Sequence, residues 1–584
     1  MTEPTRPGRA RVAVLLVLLA LLAACGSPGA NRPVIDGDGP SRLGARSDLT
    51  NDPPAGPEGI HEPRQLVRTY LLAAAGRAEN RAARLREFLD GDEQRTWSPG
   101  RGETVVVRTE LESPTNLGLD RYEVRATLTP VGILDGRGSL LPPHSTAPIH
   151  VVFKANLGGD QAHLTQVPPG ILLDVDALTT YYSPHTVYFW TRDGDPVLVP
   201  DLRYLPKFLP AEQTIVDYLL AGPSSLLADV VKPALGPGVE LIGRPAIVGG
   251  KLVINLPAKA AGNLDDLMAQ LRWSLRPEYT GHIDLQILGN STPVNNADTE
   301  CAGGNPSTRR QEEPDRFAIV AGKIVAVPAG GAREPTGLPD VVHGPVNRNV
   351  VSAAISRDRQ QAALVQHTAT GNTLVLVRTS GTTQSPVPTS VRGSQLSRPV
   401  LVNGPAENGV LVTVDGALNF VSMNGRSTLL RVPGRSRITA VSAAPDGRRI
   451  ALVADGQLYL TALTAVDGRT QVTGARRVET GVPDLVGVAW TREERLVVAA
   501  ATAESTQLRE VSVDGALRDD RMPHVGQVSQ IVAYVDNPCD GDTRGPIMYQ
   551  QDNLSFALFL DTPYSLVSAE GSSKLTAPFY LDYS

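Results

Sequence analysis

The sequence predicts a multidomain protein: an α+β domain, then a small α/β module, then an all-β propeller of about six blades. Three observations carry that expectation. Two helical stripes followed by short strands open the ordered part of the chain. A second set of strands and helices comes next, with its own start and stop residues. From about residue 315 onward, a strand–turn–strand phrase recurs at multiples of a blade length.

The elements begin at the N-terminus with Arg6, Arg9 and Arg11, followed by the uncharged run from Val12 to Ala24. That run fits the roughly 7–15 residues of a secretory apolar region and falls short of the roughly 20 that cross a bilayer as a helix. Leu22, Ala23 and Ala24 directly before Cys25 resemble a bacterial lipobox. The resemblance implies cleavage before Cys25, a diacylglycerol on its thiol and an acyl group on the new amino terminus. Two or more chains hold a protein at a membrane where one does not. An ordinary signal peptide that happens to end at a cysteine is the alternative.

Composition narrows the function classes. The chain carries 55 basic and 61 acidic residues, a net charge of −6, with no basic stripe. Nucleic acid is therefore not an expected partner. Three cysteines are present. With Cys25 acylated, Cys301 and Cys539 remain as an even pair in an oxidising compartment. They are expected as a disulfide, two free buried thiols being the alternative.

The organisation expected is a signal peptide over 1–24, a flexible tether over 25–60, an α+β domain over 61–178, an α/β module over 184–300 and a propeller over 315–584. The tether is rich in Gly, Pro, Ser, Asp and Asn. Order starts at Glu62-Pro63, with Leu66, Val67, Tyr70, Leu71 and Ala74 at helical spacing. A second helix is expected over Arg81 to Leu89, stopped by Gly91. Strands come next at Thr104–Arg108, Tyr122–Val131, Ser139–Leu141, His150–Leu157 and Ala162–Gln166, leading into Ile171-Leu172-Leu173. Helices on a curved antiparallel sheet in this order resemble the NTF2-like cone.

The next unit has strands at Thr186–Trp190 and Pro196–Pro200 and a helix at Ala211–Ala221 ended by Gly222-Pro223. Glu240–Ile242 and Lys251–Leu256 are read as extended. A helix capped by Asn263 carries Leu264, Leu267, Met268, Leu271 and Leu275 on one stripe, and Ile283–Leu288 closes the unit as a strand. The phrases Tyr218 to Pro223 and Ala234 to Val239, with the Trp273 helix, resemble a GerMN domain.

The repeat phrase is clearest where Ser356 to Val365 aligns with Ala444 to Val453, and Thr491 to Val498 forms a shorter copy. The spacings are multiples of roughly 40–45 residues, a blade length. Ring closure is expected between Phe317–Val320 or Lys323–Val327 and Phe579-Tyr580-Leu581.

Catalytic signatures do not assemble. The chain has no nucleophile elbow, zincin motif, P-loop or Cys-x-x-Cys pair, and its nine His are scattered. His150 and His163 are expected at the surface or in the core, away from any site. The acidic runs Asp36 to Gly39 and Asp536 to Asp542 are read as solvated turns, with a calcium loop as the alternative for each, and neither a metal nor a cofactor is expected.

Taken together, the lipobox around Cys25, the Leu219–Pro223 phrase and the Ala444–Val453 blade motif, in this domain order, resemble the LpqB family of actinobacterial lipoproteins. The resemblance implies a non-enzymatic accessory on the extracytoplasmic face of the cell membrane. Its implied partner is the extracytoplasmic domain of a sensor histidine kinase of the MtrB type, and through it MtrA signalling and the cell envelope. The competing expectation is a lipoprotein that binds an envelope glycan or small ligand, or a hydrolase using the propeller channel. Convergent His, Asp, Glu or Arg side chains in that channel would mark this competing expectation.

Overall fold

The computed structural model describes residues 52–584 except for 237, 261–263, 295–304, 306–313, 329–336, 381–382, 536–537, 539–544, 560, 569–570, 572–573 and 583–584. Helix α1 (Pro63–Ala73) starts as the sequence predicts. Pro63 occupies its first turn and the Glu62 carboxylate accepts from Gln65 N at 3.0 Å. Its buried face is Leu66, Val67, Tyr70 and Leu71. Helix α2 (Ala78–Arg86) begins three residues before the expected start and ends before Phe88 and Leu89, which still point into the core.

Gly91 does not end the helical region, as expected from sequence; it begins α3 (Gly91–Thr96). The carboxylate of Asp90 accepts from Glu93 N at 2.8 Å and so caps a new helix. The same device starts α4 (Val175–Tyr181), where Asp174 accepts from Asp176 N.

The first sheet runs in the order 163–166, 149–156, 121–134, 104–111, 171–174, and the last pair is parallel. Tyr70 packs edge-on against Phe88 and Phe153, with ring centroids 6.1 and 6.4 Å apart, so aromatic rings occupy the space between helices and sheet. Ile60, at the end of the expected tether, is buried in this core.

The middle module holds two small sheets. In one, Tyr182–Thr191 pairs antiparallel with Leu198–Pro206 through a turn at Gly194. The second of these strands runs six residues beyond the expected Pro200, and every one of its residues is buried, Asp201 and Arg203 included. Helix α5 (Ala211–Leu220) ends at Gly222, whose φ of +85° suits the left-handed position that stops a helix.

In the other sheet Lys251–Leu256 and His282–Ile287 are parallel, and α6 (Leu264–Leu275) is their crossover, burying Leu267, Met268, Leu271 and Leu275. Asn263, the expected cap, lies outside the described residues. Glu240–Ile242 is not a strand. The edge beside Lys251–Leu256 is taken by Ala246–Val248, leaving residue 242 a single bond to Asn255.

Six sheets come next among the described residues, the number expected from the repeat. Blade II (Val350–Ile355 to Thr383–Gly393), blade III (Val400–Asn403 to Ser427–Leu429), blade V (Leu485–Arg492 to Arg518–Val525) and blade VI (Val528–Ala533 to Thr562–Ser565) each have four strands in chain order. In blade IV (Ile438–Ala443 to Arg476–Val478) both Arg469–Val472 and Arg476–Val478 pair with Gln457–Val466.

Blade I closes the ring. Arg316–Val320 and Lys323–Val327 pair with the C-terminal strand Thr576–Tyr580, which is innermost and neighbours the first strands of blades II and VI. Phe317 opposes Phe579 in register, and their rings stack at 5.5 Å. The predicted closure is therefore the observed one, and it removes a free sheet edge.

The repeat phrase forms the turn after the innermost strand in blades II, IV and V. In blade II, Asp358 accepts from Ser356 Oγ and Gln360 N; in blade IV, Asp446 accepts from Arg448 N and Arg449 N at 2.8 Å. These are side-chain-capped turns of the kind Asp favours. Blade V carries Glu493 at the matching position.

Candidate functional site

The site residues expected from sequence, Leu22, Ala23, Ala24, Cys25, Cys301 and Cys539, all lie outside the described residues, as do the aspartates of the two acidic runs. His150 is exposed and its Nδ1 sits 3.1 Å from the Thr127 hydroxyl. His163 lies half-buried on the edge strand of the first sheet. Neither converges with other titratable groups.

The structure does bring together a junction of all three folded parts. Tyr188, on the first strand of the middle module, donates its hydroxyl to Glu493 Oε2 of blade V at 2.5 Å. Burial, then the charge of Glu493, pushes the Tyr188 phenol well above its usual range. The neighbouring Glu494 carboxyl is also pushed up, chiefly by burial and next by Glu493. Arg449 donates to Asp446 at 2.8 Å and to the Glu493 carbonyl at 2.5 Å while its guanidinium lies 4.8 Å from the Trp490 ring.

Arginines then clamp one part to another. Arg203, fully buried, donates to Asp201 at 2.7 Å, to the Gly222 carbonyl at 3.0 Å and to the Ser139 hydroxyl of the first domain. Arg476 of blade IV reaches the carbonyls of Leu140 and Val513, and burial lowers its pKa. Arg108 of the first domain donates to Ala516 O at 2.9 Å, and Ala516 and Leu517 pack into that domain's core. Arg448 of blade IV donates to Asp193 O beside the Gly194 turn at 2.8 Å.

A cavity of about 40 Å³ closes between the three, lined by Ser139, Leu140, Asp201, Leu202, Arg476 and Trp490 among others. His185, on the same strand as Tyr188, is held neutral: burial lowers its pKa to about 4, with Nε2 2.6 Å from the Ser274 carbonyl. Guanidinium forks on carbonyls fix orientation as well as contact. The first domain, module and propeller are thereby tied into one body.

The second feature is the propeller channel, a cavity of about 920 Å³ lined by the first strands of blades II to VI. At one side Asp582 accepts from Arg398 at 2.6 Å and from Leu401 N at 2.7 Å, and its own N–H donates to Ile355 O. Burial raises the Asp582 carboxyl and Arg398 opposes that rise. Hydrogen bonds from Ser394 and Gln395 hold Asp415 low. Among the described lining residues there is no His, Cys or Glu.

Sequence reasoning did not find Tyr188, Arg203, Arg476 or Glu493. The available signal was the polar pair Asp201 and Arg203 inside Leu198–Pro206, a strand covered on both faces.

Three family models match the chain in the same order. Residues 56–179 match the model for the lipoprotein LpqB N-terminal domain, 186–295 match Germane, described as sporulation and spore germination, and 334–538 match the lipoprotein LpqB beta-propeller domain. Among curated relatives, the lipoprotein LpqB of Rhodococcus opacus is 25% identical over 527 residues, covering 82% of this chain and 83% of the relative. That of Rhodococcus jostii is 25% identical and covers 89% of each. The Streptomyces coelicolor protein of the same name is 25% identical over 75% of this chain and 78% of its own length. No helix among the described residues is long and apolar enough to cross a membrane.

Proposed function

We propose that this chain, which belongs to the LpqB family of lipoproteins, is a non-enzymatic accessory held by acylated Cys25 on the extracytoplasmic face of the cell membrane, where it acts on a sensor histidine kinase of the MtrB type. The observation that carries the reading is the clamped junction. A body whose three parts are fixed by Tyr188–Glu493 and the arginine forks presents one constant surface at the end of a tether.

A lipid anchor confines that surface to the layer in which a kinase sensor domain projects. Such confinement raises effective concentration, so a modest interface suffices. A body that prefers one of two sensor states shifts the kinase by that difference in affinity.

The test is crosslinking in intact membranes followed by capture of the full-length chain. Recovery of a kinase sensor domain in the crosslinked product is the expected result. Absence of any kinase from the product, together with unchanged kinase output in cells lacking the protein, contradicts the reading.

A further inference from the structure

The channel mouth has a construction that the accessory role does not use. In four blades the innermost strand breaks register with its neighbour at the same place, between Val350 and Ser352, Ile438 and Ala440, Leu485 and Gly487, and Val528 and Gln530. Each break is a bulge that inserts one extra residue: Val351, Thr439, Val486 and Ser529. All four are exposed at the second position of their strands, and all four line the cavity. A bulge re-aims a side chain and is characteristic of strand ends beside functional sites. Four equivalent bulges set a ring of two apolar and two hydroxyl side chains around one opening.

Beside that ring the wall is polar and, in sum, uncharged. Ser352, Ser442 and Gln530 come from three blades. Ser352 is 7% exposed, and its hydroxyl has no hydrogen-bond partner among the described residues. The charged lining groups balance: Arg398 and Arg437 against Asp415 and Asp582, with Asp582 bonded to Arg398 and Asp415 to Ser394 and Gln395. The described lining therefore carries no net charge. The volume of about 920 Å³ lies within the roughly 300–1,000 Å³ of small-molecule sites.

We infer that the mouth of the propeller channel binds an uncharged, hydroxyl-rich ligand of short-oligosaccharide size, with the bulged ring of Val351, Thr439, Val486 and Ser529 as its rim. Hydroxyl and amide side chains both donate and accept, as sugar hydroxyls do, and the two valines suit the apolar C–H faces of a pyranose. This site is separate from the clamped junction, so its failure leaves the kinase-capture experiment to stand or fall by itself.

The test is calorimetric titration of the full-length protein in detergent with maltotriose, N,N′,N″-triacetylchitotriose and, as an anionic control, sucrose octasulfate. At least one neutral trisaccharide is expected to bind and the anion is not. Val486→Trp and Ser529→Trp, at exposed positions that leave the fold intact by melting curve, are expected to weaken binding roughly tenfold or more. The inference is overturned if neither trisaccharide binds up to about 10 mM, if both Trp variants bind as the parent does, or if the sulfated sugar binds more tightly than the neutral ones.

Discussion

Tyr188 and Glu493, 305 residues apart in sequence, meet in a 2.5 Å hydrogen bond that joins the middle module to the fifth propeller blade. Glu493 stands where two other blades of the repeat carry Asp358 and Asp446, residues that cap their own turns. One blade thus turns an internal turn residue into an attachment point. Around it, arginines on carbonyls complete a joint that makes the three folded parts a single unit.

The Tyr188→Phe variant tests that joint. It removes the donor to a buried carboxylate while keeping the ring, which also packs edge-on against Trp273 at 5.5 Å. A loss of about 1–3 kcal/mol in urea unfolding is expected. Adding Glu493→Gln should cost less than the sum of the two single changes, because both touch one bond.

The buried pair Arg203–Asp201, with side chains 0% and 6% exposed, should respond asymmetrically. Arg203→Met strands a carboxylate away from water and is expected to cost about 3–5 kcal/mol. Adding Asp201→Asn should recover a large part of that loss, measured as the midpoint of chemical unfolding. Equal destabilisation by the single and double variants would count against the pairing.

Glu494 gives a pH signature. Its folded-state carboxyl is raised above the usual 4.5 by burial and by Glu493. The folded state therefore holds that proton longer than the unfolded chain does. Its contribution is complete below 4.5 and is lost as pH rises through the raised folded value. Glu494→Gln should match the parent in stability near pH 4 and become progressively more stable than it towards pH 7, read as the difference in melting temperature across that range. A difference that shrinks with rising pH would contradict the assignment.

Ring closure rests on the C-terminal strand. Phe579→Ala empties a fully buried position stacked on Phe317 and is expected to cost about 3–5 kcal/mol. Limited proteolysis should then cut first at the seam between blades I and II. Asp582→Asn, which weakens the tie from the C-terminal segment to Arg398 and to Leu401 of blade III, should give a smaller loss.

Much of this architecture was legible from local patterns. Pro63 with the Leu66–Leu71 stripe marked the first helix, the recurring acidic turns marked the blades, and the Phe317 and Phe579 segments identified the closing strands. The features that escaped reading depended on tertiary context. Gly91 looks like a stop until Asp90 is seen to cap the next helix. Leu198–Pro206 seems to end at Pro200 because Asp201 and Arg203 break the apolar run, yet Val199 and Leu205 pack in the module's own core while Leu202 and Tyr204 pack against the propeller and the first domain. The bulges at Val351, Thr439, Val486 and Ser529 belong to strand pairing, which no single strand encodes.

The most direct test of the account is kinase output in cells carrying Cys25→Ser in place of the parent chain. Loss of acylation removes the confinement that makes weak docking effective, so output is expected to fall to that of cells without the protein, with most of the chain released from the membrane. A Cys25→Ser chain that stays membrane-bound and sustains full kinase output would contradict it.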